Sequence, residues 1–580
     1  MKIKRWGEEV AFGAECDALY FGMGWSKNDL NKPNIIIESV WGDSHPGSVH
    51  LNELVEHISF GVLESGGRHA RYTVTDMCDG VCQGLLGMSY ALLSREVIAS
   101  MVEIHIAAAP IEGVVLVSSC DKSIPAHLCA AARINLPTIL LPGGVMATAP
   151  NFLSTDKLWE YERKLVSGEI EYDEFLELQR FTCPSGGACQ GMGTANTMQA
   201  MAEALGLALP WSAMAPASSV EIKRIARDTG KMVVELVKSG IKVSDIVTEE
   251  SFKNAIAVHA AIGGSANAVI HLIAMAKEMG IELKAEVFDE INRRVPVIAN
   301  VAPVGKYSPE LFWYAGGIPK IMMEIVDFLN LNVLTVSGKT LGENLKEVEK
   351  SKYQINLANS YLMNFGLLPD DIIKSIKNPI YKEGGLAILK GNMCPCGSIV
   401  KHSSVVPEMM VHIGKARVFD DEDAAINSII NGLVKPGDII IIRYQGPKAK
   451  GAPEMFRIAD YISKRPELKT TTAIITDGRF SGFSKGPAIG YVTPEAYEGA
   501  YFGLVEDGDE IEINIPQRRV DIISVRTENN KNVRDIEEIM RERRKKWKKP
   551  IIELPEGILS LYQKCAGQLL LEGGRISMYK

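Results

Sequence analysis

Residues 113–134 read GVVLVSSCDKSIPAHLCAAARI: a run of Val and Leu from 113 to 118, then Ser-Cys-Asp-Lys, then an alanine-rich stretch with Pro125 where a first helical turn would tolerate it. A strand apolar on both sides belongs inside a sheet that is covered on both faces. Working outward, residues 34–40 (NIIIESV) and 137–141 (PTILL) repeat the buried-strand pattern, and 85–106, 125–134, 194–209 and 218–239 carry the apolar spacing of helices. Strands alternating with helices predict an α/β fold with a parallel sheet between helix layers. After about residue 375 the pattern changes. Apolar runs at 385–389, 438–443 and 472–476 and a β-rich pair at 510–515 and 520–525 are separated by Gly, Pro and Asp at short intervals. The expectation is an N-terminal α/β/α domain, 1–375, and a C-terminal β-rich, barrel-like domain, 376–580, with the linker within the polar stretch 344–378.

The 580 residues, 46% hydrophobic and 23% charged, can bury large cores, which excludes disorder, collagen and coiled coil. There is no fixed-period repeat. With 63 basic against 71 acidic residues the net charge is −8, so no general attraction to nucleic acid or an anionic membrane is expected and a small-molecule partner is favoured. The basic run 541–549, RERRKKWKK, follows the acidic IEEIM and reads as a solvated helix face rather than a nucleic-acid patch with Trp547 stacking on a base. MKIKRWGEEVAFG lacks an apolar signal core, and the uncharged run 254–276 is interrupted by two histidines, Asn267 and Gly263-Gly264. A cytoplasmic location is expected. The ten cysteines are far below disulfide-scaffold density, so their thiols are available for chemistry.

Four segments offer that chemistry. Cys120-Asp121-Lys122 sets a thiol, a carboxylate and an amine at the strand-to-helix edge where α/β sheets bind ligands, although alone it also reads as a solvated turn with a buried cysteine. TCPSGGACQGMGT at 182–194 is glycine-rich and places Cys189 near a helix N-terminus, where a thiolate is favoured. The spacing of Cys183 and Cys189 does not suit a zinc ribbon, and no GK[ST] follows to cradle phosphate. TDMCDGVCQGLLG at 75–87 joins Cys78 to Asp79 and adds Cys82, or is a turn built on Asp79-Gly80. In the β-rich part, GPKAKGAPEM at 446–455 and TDGRFSGFSK at 476–485 follow strands; Ser481 lacks the GxSxG context of a hydrolase.

CDKSIPA at 120, GGACQGMGTANTM at 186, HAAIGGSAN at 259, GNMCPCGSIVK at 391, the loop ending in Glu454 and TDGRFSG at 476 together resemble the dehydratase family that contains dihydroxy-acid dehydratase, phosphogluconate dehydratase and the aldonate dehydratases. The resemblance covers nearly the whole chain from about Pro33. It implies a hydro-lyase that converts a 2,3-dihydroxy carboxylate to a 2-oxo acid with an iron–sulfur cluster and Mg²⁺. Cys120 and Cys189 match two cluster ligands. Where many members carry Cys in a PCN segment, this chain has His45-Pro46-Gly47-Ser48, so Cys78 is the best substitute, and [2Fe-2S] and [4Fe-4S] both stay open. Asp79, Asp121 and Glu454 match the Mg²⁺ ligands, Lys122 a carbamylated lysine, and Ser481 the base. Cys396 replaces a usual Asp and Tyr491 a usual His, and Cys394 and Cys396 are further candidates for the cluster's surroundings.

Ala126 and the segments at 78, 203 and 291 look like the sugar-acid branches, so an aldonate such as xylonate is the expected substrate, with 2,3-dihydroxy-3-methylbutanoate of branched-chain amino-acid synthesis as the alternative. The resemblance also implies a homodimer or homotetramer.

Overall fold

The apolar runs at 34–40, 113–118 and 137–141 form three strands of a four-stranded parallel sheet: β1 (Asn34–Ser39), β3 (Gly113–Ser118) and β4 (Thr138–Pro142). Every residue in them is buried. The fourth strand, β2 (Arg68–Thr73, RHARYT), escaped the sequence reading because it is a half-exposed edge without an apolar signature. The strand order is β2-β1-β3-β4. This is a computed structural model; it describes residues 13–577 except 483, 485, 527–531 and 534, so most of the segment read for an export signal, and Phe483 and Lys485 of the serine loop, lie outside the described residues.

The β1-to-β2 and β3-to-β4 connections run in opposite directions across this sheet, and right-handed crossovers then place their helices, Leu51–Glu64 and Ser123–Ile134, on opposite faces. Leu51–Glu64 packs on Val220–Ser239 at very short range. A Cβ on Gly61 would come within 2.0 Å of the Arg227 carbonyl oxygen, and one on Gly230 within 2.1 Å of that of Ile58, so only glycine permits the crossing. Helix Thr194–Ala204 is shorter than the predicted 194–209.

Residues 344–378, expected as a linker, are instead largely helical, with Leu341–Lys350, Lys352–Met363 and Pro369–Ile372. Thr340 and Glu343 cap the first of these reciprocally, and Leu341, Leu345 and Val348 bury a narrow stripe beneath a charged face. That face gave the segment its polar composition.

The second sheet has nine strands: β5 (Ala387–Leu389), β6 (Gly397–Val400), β7 (Val411–Phe419), β8 (Ile439–Ile442), β9 (Ala473–Thr476), β10 (Ala488–Thr493), β11 (Glu510–Asn514), β12 (Arg519–Arg526) and β13 (Asn532–Val533). Their order is β13-β12-β11-β7-β8-β9-β10-β6-β5, with β7 to β10 parallel and the flanks antiparallel. The sheet curls until its ends meet. The Lys390 N–H donates to Arg518 O at 3.0 Å, and the Val520 N–H to Lys390 O at 3.0 Å, joining the end of β5 to the start of β12 as in a barrel.

Residues 541–546 of the basic run lie on helix Ile536–Lys546, and 547–549 follow it. There buried Arg543 pairs with Asp509 at 2.5 Å, and the Trp547 indole donates to the Tyr444 hydroxyl at 3.1 Å, which engages that ring within the fold. Past this helix the chain returns to the N-terminal part, onto helix Gly87–Ala107. Fully buried Arg95 donates through Nη2 to Gly573 O at 2.8 Å, and the Ile576 N–H to Glu96 Oε2 at 3.0 Å. Among the described residues no helix is long and apolar enough to cross a membrane.

Candidate active site

The divergent connections of β1 and β3 open a crevice at their C-terminal ends, the position at which parallel sheets take ligands. The segment after β1 brings His45, that after β2 brings Cys78 and Asp79, and that after β3 brings Cys120, Asp121 and Lys122. Beyond β4, Val145 bridges Ala188, with the Met146 N–H donating to Ala188 O at 3.0 Å. That bridge delivers the loop of Cys189.

The donor atoms of His45, Cys78 and Cys120 all lie within 4.8 Å of one another. Cys78 and Cys120 share a hydrogen bond, which draws the Cys78 thiol down against the effect of burial and pushes the Cys120 thiol up, so one thiolate serves the pair. Cys189 is exposed at the surface of its loop, with protein crowded around its sulfur. Burial, then the charges of Cys78 and Asp121, push its thiol up rather than down as its place before a helix implied; desolvation outweighs the dipole five residues from the helix start. His45 is buried, its Nε2 lies 2.8 Å from Asp76 Oδ1, which also accepts from Ser48 Oγ at 2.5 Å, and its Nδ1 has no hydrogen-bond partner among the described residues.

Against this sulfur cluster lies an oxygen cluster. Lys122, fully buried, donates through Nζ to Asp79 Oδ2 at 2.5 Å, while Asp79 Oδ1 is buried and unpartnered among the described residues. Burial, then the charge of Asp79, with Glu454 adding to it, pushes the Asp121 carboxyl up to about 8. Glu454 comes from the barrel loop and is held through Oε1 by Arg479 Nη1 at 3.0 Å and Asn267 Nδ2 at 2.6 Å. Arg479 Nη2 stands 4.0 Å from Asp79 Oδ2. Buried Asp79 and Glu454 and half-buried Asp121, with one orphaned oxygen among them and three thiols alongside, fit a hard cation next to a soft iron cluster.

The Ser481 loop closes over this edge. Gly482 is seated so tightly that a Cβ would lie 3.3 Å from Gly193 Cα and 3.4 Å from Ser265 Oγ. Buried Lys401 donates to Gly482 O at 3.4 Å, and burial brings its amine down to about 8. Below that value Lys401 is charged folded and unfolded, so the full cost of about 3 kcal/mol is present, and it fades as pH rises toward the unfolded value of 10.5. Lys401→Met is therefore expected to stabilise the metal-free protein by about 1–3 kcal/mol at pH 7. In urea titrations this gain should shrink toward pH 10.5; a loss at pH 7 would contradict it.

Cys394, expected among the candidates for the cluster's surroundings, is buried in the barrel core against Leu389 O and Ser398 Oγ, and the neighbouring Cys396 shares that loop. The six-residue stretch 391–396 turns between β5 and β6, which carries Cys394 into the sheet's own interior and leaves Cys396 half-buried. Cys82, by contrast, contacts the Asp79 carbonyl at 3.5 Å, and burial, then Asp79, pushes its thiol up to about 12. Sequence reasoning gave no role to His45, Asp76, Asn267, Arg479 or Lys401. Asn267, Arg479 and Lys401 stand inside the quoted motifs; His45 was noted only for its neighbour Gly47.

The family described as dihydroxy-acid/6-phosphogluconate dehydratase matches with its N-terminal part over residues 32–344 and with its C-terminal part over residues 371–571. Dihydroxy-acid dehydratase 1 of Methanosarcina acetivorans is 40% identical over 547 residues, 93% of this chain and 94% of that protein. The dihydroxy-acid dehydratase of Clostridium novyi is 40% identical over 557 residues (94% and 95%), and that of Caldanaerobacter subterraneus 38% over 569 residues (96% and 97%). With both parts matched in order along nearly the whole length, this chain belongs to the dihydroxy-acid/6-phosphogluconate dehydratase family.

Proposed function

We propose that this enzyme removes water from a branched 2,3-dihydroxy carboxylate such as 2,3-dihydroxy-3-methylbutanoate, yielding the 2-oxo acid. The reading rests on the juxtaposition of the two donor clusters, which share one turn of chain at Cys120-Asp121. Cys78, Cys120 and Cys189 would hold the iron–sulfur cluster, and Asp79, Asp121 and Glu454 the Mg²⁺ ion. When bound, the two supply Lewis acidity to adjacent hydroxyl groups. Carbamylation of Lys122, which is fully buried against Asp79, would exchange its ion pair with that carboxylate for an anionic oxygen donor. Ser481 takes the C2 proton, on a loop whose seat against Gly193 and Ser265 fixes it. The division at 375/376 is kept as the boundary between the part bearing the thiols and the part bearing Glu454 and Ser481.

The expectation of an aldonate gives way here, since the relatives carry the name dihydroxy-acid dehydratase. Ala266, Ile399, Phe480 and Ala488 share a small cavity with Ser481, Lys401, Ser484 and Tyr491, and its apolar side supports a branched alkyl group. Each extra hydroxyl of a sugar acid left unpaired there would cost about 1–3 kcal/mol. In an anaerobic assay for 2-oxo acids, kcat/KM for 2,3-dihydroxy-3-methylbutanoate should exceed that for every pentonate and hexonate tried by at least about 10-fold. A higher kcat/KM on a pentonate would return the assignment to the sugar acids.

A further inference from the structure

His45 lies where a cysteine at position 47 would otherwise reach the cluster. A Cβ built on Gly47 would stand 3.1 Å from His45 Nδ1, 3.2 Å from its Cε1 and 3.3 Å from Cys120 Sγ. The imidazole thus occupies the volume a larger residue 47 would need, and glycine is what admits it. Asp76 Oδ1 accepts from Ser48, and as a carboxylate it accepts from His45 Nε2 as well, so Nε2 is engaged and Nδ1 is the nitrogen left for another partner. His45 Nδ1 is buried without a hydrogen-bond partner among the described residues, and the ring brings a nitrogen within 4.8 Å of the Cys78 and Cys120 sulfurs. A carboxylate behind the far nitrogen is also the arrangement that orients histidines on metals.

We propose that His45 Nδ1 is a protein ligand of the cluster, capping the iron that the three thiolates leave incomplete. This rests on the cluster assigned under Proposed function. A neutral imidazole binds iron less tightly than a thiolate and leaves the cluster less negative, so it stays exchangeable with a substrate hydroxyl and raises the reduction potential relative to an all-sulfur set.

The test uses holoprotein purified anaerobically, grown with ¹⁴N- or ¹⁵N-histidine and reduced with dithionite, read by electron–nuclear double resonance on the cluster signal. One strongly coupled nitrogen that changes with the isotope is expected. It should vanish in both His45→Ala and His45→Gln, which keep iron and sulfide through the thiolates. Adding Gly47→Cys to His45→Ala should lower the potential again without restoring the nitrogen signal. A normal cluster signal without strongly coupled nitrogen, or coupling that survives both substitutions, overturns the ligand and leaves the dehydratase reading standing. Wild-type protein free of iron and sulfide overturns both.

Discussion

Ser481→Ala protein is expected to keep its iron, sulfide and magnesium and to lose dehydration by about 10²–10⁴-fold, the range that a positioned proton acceptor contributes. The change removes one hydroxyl from a half-buried position on a loop whose geometry is set elsewhere. The Arg479 N–H donates to Pro453 O at 3.0 Å, the Tyr491 N–H to Gly478 O at 2.8 Å, and Gly482 is held by Lys401. None of these bonds involves the serine side chain, so the loop and the carboxylates beneath it should stay in place. The loss should fall on kcat, with KM little changed, because proton removal belongs to the transition state. Turnover within a few-fold of wild type, at normal metal content, would remove Ser481 as the base.

Arg479→Met is the second large effect, and it falls on stability. The guanidinium is wholly buried, donates to Glu454, Asn267 Oδ1 (3.0 Å) and Ala452 O (2.6 Å), and stands near Asp79. Removing it leaves Lys122 as the one positive side chain paired with these three carboxylates among the described residues, and an uncompensated buried charge costs about 3–5 kcal/mol. Saturating Mg²⁺ should return more stability to the variant than to wild type, since the ion supplies the missing charge and binds only the folded form. Urea unfolding of metal-free and Mg²⁺-loaded samples measures both quantities. A loss below about 1 kcal/mol with equal magnesium responses would mean that the carboxylates do not form a cation site.

The first sheet was readable because β1, β3 and β4 each carry three or more consecutive large aliphatic residues, a pattern little else produces. β2 was not, since an edge strand of Arg, His, Tyr and Thr resembles a loop, and the helices of 341–372 hide narrow apolar stripes under lysine and glutamate. In the site, Cys78-Asp79 and Cys120-Asp121-Lys122 announce themselves by adjacency in the chain. Arg479 and Asn267 do not, because Arg479 reaches Asn267 across 212 positions, and no local spacing encodes such a meeting. His45 was overlooked for a different reason. Attention went to the cysteine that Gly47 lacks, when the missing Cβ is what lets the neighbouring ring in.

The return of the chain's last turns onto Arg95 and Glu96 has a consequence for biogenesis. Cys78, Cys120 and Cys189 leave the ribosome long before Glu454, Ser481 and the Gly573 clamp have been made. At ordinary translation speeds that interval lasts roughly 20–80 s. On the proposed assignment, three thiols thus wait on a nascent polypeptide before Glu454 and the Ser481 loop exist to complete the pocket. Oxygen during synthesis should harm the yield of active enzyme more than the same exposure after assembly.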